Sequence, residues 1–509
     1  MPRVSQVISV PAPIGGWNVR DPLPSMSPAY APILDNVFCL PSEIQIRKGY
    51  TQFSTFTGTA ETVFDYNTQA GGEELYAAVS TGTIYNITAG GAVGAAVVTG
   101  LSNARFHFTQ FSNSGGTFLY LVNGANTLLY DGTTWRTITT SSTPYAITGI
   151  SPALFSDVIV HKRRLWFVEK NSTSCWYLPV DAIAGAAVEF DFGPLFKNGG
   201  YITKVDTWSL DAGVGLDDYF VVFSSKGEVA VYQGTDPASA STWSLTGVFL
   251  IGEPVGNGRT SKMGGDLLIL NKDGIAQMSK SLMSSRVNTV LQLTDKIQPQ
   301  LSSDATAYSG NYGWDILLFS QEDMLIVNVP VSDTVSYQYV MNTISGAWSR
   351  WTGINAKSWY FSADNIYFGA NGYVGKAWNT QSDNTASITA NILPAYQNFG
   401  ATSQLKRFTL MRALLGYDAN AAYGARMEID FDLSPTAVTM PTQITSTAGV
   451  YGTSTYGSSV YVGSLKVAKQ WKNTTGMGYW ASPHLMVETY SSDVRLYSID
   501  LVMEAGGNL

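Results

Sequence analysis

Histidine occurs 3 times and cysteine 2 times in a chain of 509 residues. His107, His161 and His484 are too few and too dispersed for a zinc site. Cys39 and Cys175 exclude a disulfide framework and leave room for at most one bridge. Charge is sparse as well: 13% of residues carry it, and 30 Lys and Arg against 38 Asp and Glu give a formal net charge of −8. That balance disfavours tight binding by phosphate neutralisation, which relies on Lys/Arg clusters. It does not bar DNA that slides past, since a sliding path calls for acidic or neutral walls. No apolar run reaches the roughly 18 residues of a membrane-spanning helix, so no membrane span is expected. The opening stretch, Met1 to Val10, lacks an apolar segment followed by a small-residue cleavage site, and synthesis and assembly in a cytoplasm is the expectation. A glycine-rich phosphate loop ending in Lys-Ser/Thr, a Gly-x-Ser-x-Gly elbow and a His-Glu-x-x-His helix are all missing. No catalytic, cofactor-binding or metal-binding residue is assigned.

What the chain has is glycine, at 49 residues, and aromatics, at 12%. Both suit many short strands joined by tight turns. From about residue 61 to residue 378 a pattern recurs: an aromatic or β-branched strand, a Gly/Asn/Asp turn, a second strand. Leu75, Leu119, Leu165, Phe220, Leu267, Leu317 and Tyr367 mark the recurrences, at spacings of 44, 46, 55, 47, 50 and 50 residues. Repeats of this length are those of propeller blades, each too small to bury its own apolar face. The expected fold is all-β: a propeller of about seven blades, with six to eight compatible, because a divergent blade fits into the long interval between Leu165 and Phe220. A further β-rich platform domain follows it.

Three regions result. Residues 1–60 form a Pro-rich N-terminal arm, in which Pro11, Pro13, Pro22, Pro24, Pro28, Pro32 and Pro41 deny continuous ladders; Ser42 to Tyr50 alternates as a ring-closing strand. Residues 61–380 form the propeller, and residues 381–509 the platform. Gln381 to Thr385 reads as a linker. Strands are expected over Ser387 to Leu393, Lys406 to Leu415, Ala425 to Phe431, Ser459 to Val467 and His484 to Val487, with Thr436 to Ser458 as a long loop. The last strand, Asp493 to Glu504, places Tyr497, Ile499, Leu501 and Met503 on its buried face. Helical signal is confined to Ser279 to Leu301, where Thr294 begins a short helix and Pro299 limits its continuation.

Chemical groupings are weak. Asp131-Gly-Thr-Thr-Trp135 partly matches the Asp-box turn of sialidase-like propellers and is sufficiently explained by a hairpin turn. Asp211, Asp217, Asp218 and Glu228 read as solvated loop charges, since an acid/base pair requires a defined separation across the bond. Lys162-Arg-Arg164 is the densest basic cluster and reads as a local loop charge or a subunit salt contact. Trp348, Trp351 and Tyr367 are candidate blade-packing aromatics, and Arg350 between the two tryptophans suits a bridge to a neighbouring carboxylate.

The segment Met341-Asn-Thr-Ile-Ser-Gly-Ala-Trp-Ser-Arg-Trp351, with Asn365-Ile-Tyr-Phe-Gly-Ala-Asn-Gly-Tyr-Val-Gly-Lys376, resembles a family of short-tailed bacteriophage structural proteins. Gly15-Gly-Trp-Asn-Val-Arg-Asp21, Leu34-Asp-Asn-Val-Phe38 and Ile46-Arg-Lys-Gly-Tyr50 resemble its N-terminal signature. The family is that of the tail nozzle, also called tail tubular protein B or head-closure stabilisation protein. The resemblance covers nearly the full chain in outline, and those motifs carry its specificity. It implies a hexameric ring at the distal end of the tail, a homo-oligomer that contacts the adaptor ring and a tailspike or tail fibre. It further implies a conduit for genome retention and transient DNA passage, located in the virion tail after assembly in the host cytoplasm, with no enzymatic activity and no cofactor. Trp17, Tyr30 and Phe38 are the candidate inter-subunit anchors of the arm, and each also suits an intrachain cleft. The alternative functions are a carbohydrate-binding propeller for receptor attachment and, after it, a propeller glycosidase. A DNA path lined by acidic and small polar groups is expected from the net charge.

Overall fold

A computed structural model describes residues 5–68, 71–211, 216–256, 260–281, 293–417, 422–434, 438–440, 466–467 and 470–508. It is predominantly β-sheet, divided among several separate sheets. Four-stranded antiparallel meanders occupy residues 107–137, 155–191 and 202–250, and a three-stranded one occupies 260–277. The strands Asp315–Phe319, Met324–Pro330, Ser336–Asn342 and Trp348–Trp351 form a further meander, and Ser358–Ser362 pairs with Asn365–Thr380.

These sheets pack face against face, and alternate residues of one strand serve two different neighbours. In Gly116–Val122, Phe118, Tyr120 and Val122 point into a core shared with Phe155, Leu165 and Phe167, while Leu119 and Leu121 join Phe64, Tyr76 and Ala78 on the other side. Trp166 and Val168 pack with Phe220 and Val222, and Val221 and Phe223 with Leu267 and Ile269. Leu268 and Leu270 share a core with Leu325 and Val327, whereas Met324 and Ile326 meet Ile366 and Phe368. Tyr367 then packs with Ala60, Val63, Leu75 and Ala77, which returns the series to its start. Burial on both faces explains why these strands read as continuous apolar runs instead of alternating ones.

The 19-residue strand Gly49–Asn67 completes this return. Its first half pairs with residues 371–380 and its second half with Glu73–Val79, so it crosses residue 60 without a break. Six of the seven marker residues lie in the second strand of their group; Leu317 lies in the first strand of its own. Among the described residues, the long interval between Leu165 and Phe220 holds no additional meander. It holds Ser174–Tyr177, the outer strand Val188–Asp191, the short turn Gly193–Leu195, the first strand Ile202–Asp211 of the next meander, and Gly185–Ala186, which pairs back with Ile147–Thr148.

The arm and the C-terminal strands are woven into this body. Ile33–Asp35 lies between Trp348–Trp351 and Ile388–Leu393, extending the 315–351 meander into an eight-stranded sheet with Ala481–Thr489 and Ala422–Ile429. Ser5–Pro11 and Ile44–Ile46 both pair with Val494–Asn508, which also pairs with Gln404–Tyr417. Lys472–Gly478 is a strand not expected from the sequence. Of the expected strand Ser459 to Val467 only residues 466–467 are described, and the expected loop Thr436 to Ser458 lies almost wholly outside the described residues.

Two local expectations are corrected. Ile499, Leu501 and Met503 are buried as expected, but Tyr497 is exposed and Val494 and Leu496 are buried. The register slips between Leu414–Ser498 and Leu415–Leu496, a bulge that turns Tyr497 out and moves the following residues to the opposite face. The helix at Gln298–Tyr308 begins where it was expected to be limited, because Pro299 sits in its first turn, where a missing N–H costs nothing. Leu282 to Leu291, part of the same expected helical region, lie outside the described residues. Among the described residues no helix is long and apolar enough to cross a membrane.

The seam between Ser358–Ser362 and Gly49–Asn67 carries a pair of carboxylates. Tyr360 Oη donates to Asp65 at 2.8 Å, and Ser362 Oγ donates to Asp65 at 3.1 Å and to Glu73. Burial, with Glu73 alongside, pushes the Asp65 carboxyl up to about 6. A carboxyl raised on folding adds stability below its unfolded value near 4 and loses it as pH rises through 6. Asp65→Asn is expected to gain on the order of 1–2 kcal/mol over the native chain at pH 8 and little at pH 4.5. Thermal unfolding of both chains at the two pH values checks this; an equal difference at both would contradict it.

Candidate functional site, a buried joint between arm, sheet and C-terminal strands

Among the described residues, Arg47 is the largest buried charged side chain, with its side chain 1% exposed. A guanidinium has five N–H donors and no acceptor, so such burial is tolerable only where every donor is met. Nε donates to Asn36 Oδ1 at 2.9 Å, Nη1 to the Lys48 carbonyl at 3.2 Å and Asp383 Oδ1 at 2.7 Å, and Nη2 to the Thr352 carbonyl at 2.7 Å and Asp383 Oδ2 at 2.5 Å. Five donors meet five acceptors.

Asn36 is the second hub. Its Oδ1 also accepts from the Thr352 N–H at 2.8 Å, and its Nδ2 donates to Thr352 Oγ1 and to the Thr389 carbonyl, both at 2.9 Å. Its φ of 57° lies in the left-handed region, where asparagine is among the better-tolerated residues. Next to it, Asp35 accepts Arg350 Nε at 2.8 Å and Nη2 at 2.9 Å, a two-pronged ion pair that realises the bridge expected for Arg350. Asp383 lies in the stretch read as a linker, which is instead pinned by Arg47 and by the Tyr50 N–H to Ser382 carbonyl bond of 3.0 Å.

Glycine is required at two places where the arm closes in. A Cβ on Gly49 would stand 2.0 Å from the Ser382 carbonyl oxygen. Gly16, at φ 94°, lies against the Trp348 backbone, and a Cβ there would come within 2.6 Å of its nitrogen. Beyond Gly16, Asp21 takes Asn18 Nδ2 at 2.8 Å and Lys296 Nζ at 2.9 Å, which hold its carboxyl well below the usual range.

Trp17 and Phe38 are enclosed by their own chain. Trp17 donates Nε1 to the Pro32 carbonyl at 3.1 Å and lies 5.2 Å from Tyr339 between ring centres; Phe38 meets Trp378 edge-on at 5.6 Å. Tyr30 is half-buried beneath Lys296, 5.1 Å from its ring. Trp348 joins the same core as Trp17 and donates Nε1 to the Leu293 carbonyl at 2.9 Å. Trp351 points to the opposite face, stacks on Trp378 at 5.4 Å and donates to the Val37 carbonyl at 2.7 Å. Tyr367 lies apart, in the core at the seam.

The remaining charges are engaged locally. Asp131 Oδ1 accepts the Thr133 and Thr134 N–H groups, which closes the hairpin between Thr127–Tyr130 and Trp135–Thr137. Lys162, Arg163 and Arg164 form ion pairs within the chain, with Asp218, Asp181 and Asp236. The reading of Asp218 and Glu228 as solvated loop charges is corrected: both lie in strands, Asp218 accepts Ser209 Oγ at 2.6 Å, and Glu228 is buried and accepts the Lys197 and Asn198 N–H groups. The side chains of Asp211 and Asp217 lie outside the described residues. Among the described residues no group of three or more His, Cys, Asp or Glu side chains is placed to hold a metal ion.

Arg47, Asn36 and Asp383 were not singled out by residue type. The available signal was position: Asn36 lies in Leu34–Phe38 and Arg47 in Ile46–Tyr50, two of the segments that carry the resemblance. No family model and no curated protein matches the chain. Among solved structures it is similar to BBS1N in complex with ARL6DN (TM-score 0.42, 11% identity, 65% of this chain and 96% of that one). It is also similar to the β-propeller domain of Myceliophteria thermophila Cps50 (Swd1), with TM-score 0.42, 12% identity, and 65% and 100% covered. The computationally designed Ika8 protein is a third, with TM-score 0.38, 11% identity, and 68% and 96% covered. Similarity of this degree leaves function to be argued from the residues themselves.

Arg47→Ala strands the half-buried Asp383 carboxylate and the Asn36 oxygen together, and is expected to cost about 3–5 kcal/mol. Arg350→Ala, at a more exposed pair, is expected to cost about 1–2 kcal/mol. Urea unfolding of the two variants ranks them, and equal costs would show that the Arg47 network is not the stronger tie.

Proposed function

We propose that the chain is a structural subunit of a short bacteriophage tail, the nozzle at its distal end, and not an enzyme. Copies associate as a hexameric ring that retains the genome, passes DNA on ejection, and offers docking surfaces to the adaptor ring and to a tailspike or fibre. In this reading the closed series of packed sheets is a propeller of seven blades, with Gly49–Asn67 shared between the first and the last, and the C-terminal strands are the platform.

One observation carries the proposal. The segments 15–21, 34–38, 46–50 and 341–351, among those that bear the resemblance, lie as far apart as residues 16 and 348 yet meet at one joint through Gly16 against Trp348, Asp35 with Arg350, and Asn36 with Arg47. Residues brought together from such distances for an ionic lock serve to hold parts in fixed relation. A conduit under internal pressure needs that property. The net charge of −8 suits walls past which phosphates slide.

Electron microscopy of assembled particles with a label fused to this chain tests the proposal. The expected result is a sixfold ring with an axial bore at the tip of a short tail, its bore lined by acidic and small polar groups. A label elsewhere in the particle, a solitary subunit, or a bore dominated by Lys and Arg would overturn it.

A further inference from the structure

At the end of the sheets where each first strand begins, a polar depression of about 290 Å³ opens. The entry to His107–Asn113 supplies Arg105, the turn after Arg164–Glu169 supplies Lys170 and Asn171, and the start of Ile202–Asp211 supplies Tyr201. A second depression of about 150 Å³ shares Arg105 and Gly256 with it. In a chain with more acids than bases, the larger depression is lined by two cations and no carboxylate.

Of the two cations, Lys170 has no described carboxylate partner and donates Nζ to the Gly124 carbonyl at 3.1 Å, whereas Arg105 shares its charge with Glu61. Arg105 lies 4.5 Å over the Tyr312 ring and gives Nε to Glu61 at 3.1 Å, with its side chain 51% exposed. Asp157, buried against the lining residue His107, is already answered: it takes His107 Nδ1 at 3.0 Å, the Val205 N–H at 3.1 Å and Lys204 at 3.7 Å. Among the described residues that line the depression, no carboxylate opposes an incoming anion.

We propose that this depression binds a small oxyanion, the carboxylate or phosphate of a compact polar ligand, with Lys170 and Arg105 as its charge partners and Asn171 and Tyr201 as neutral contacts. The proposal does not depend on the tail reading, since it rests on the end of the sheets and not on the joint.

Calorimetric titration of the full chain with inorganic phosphate, glucuronate and glucose tests it. Saturable binding of phosphate or glucuronate is expected, without binding of glucose, weakened as NaCl is raised from about 50 to about 500 mM. Lys170→Gln is expected to weaken binding about tenfold, and Lys170→Gln with Arg105→Gln to abolish it. Glucuronate binding more tightly than phosphate would identify a sugar acid as the ligand type, and the reverse a free phosphate. No saturation by either anion, equal binding of glucose, or an unchanged affinity in a double variant that keeps the native melting temperature would each overturn the proposal.

Discussion

A guanidinium enclosed by protein constrains everything around it. Taking Arg47 out of water costs several kcal/mol, and the loss is offset only if all five donors stay matched at once. The acceptors come from residues 36, 48, 352 and 383, and Asn36 extends the set to Thr389. A shift of any one of these segments by an ångström leaves a buried donor empty. The arm, the sheet at 315–351 and the C-terminal strands are consequently fixed in one relation by a single polar cluster, with the apolar cores on either side of Trp348 and Trp351 filling in around it.

The packed sheets obey a different logic. No one position dominates; each central strand divides its residues between two neighbours, so the series holds only when it returns on itself. Gly49–Asn67 makes that return by pairing with residues 371–380 along one half and with Glu73–Val79 along the other. Arg47 lies two residues before this strand begins, so the joint and the seam are successive parts of one stretch of chain. The seam tolerates the close approach of Asp65 and Glu73 because burial favours a proton there, and Tyr360 and Ser362 donate to what charge remains.

How much of this was legible in the sequence follows from the range of each signal. The recurrence of apolar runs reports burial on both faces of a strand, which is local, and the markers Leu75 to Tyr367 fall in strands accordingly. The Arg350 bridge was legible because tryptophans on both sides leave a cation few choices but a nearby acid. Asp383 was not legible: Gln381 to Thr385 has a linker's composition, and only the fold brings it beside Arg47. Tyr497 failed for a related reason, since period-two alternation assumes an unbroken register and a bulge is set by the partner strand. Pro299 shows a local rule applied at the wrong end of a helix.

The joint and the polar depression differ in what they allow to vary. Arg47, Asn36 and Asp383 sit where three segments converge, and every atom that bonds has a partner elsewhere in the chain. Arg105, Lys170, Asn171 and Tyr201 belong to the entries and turns at one end of the sheets, and none of them contributes to the apolar cores between sheets. The apolar inter-sheet cores therefore do not use those four side chains, although Arg105 is tied to Glu61 and Tyr312 and Lys170 to the Gly124 carbonyl, while the packing holds the backbones that carry them at fixed distances from one another. A rigid frame whose end positions are free of packing duty is the arrangement in which a binding surface can change without loss of the fold.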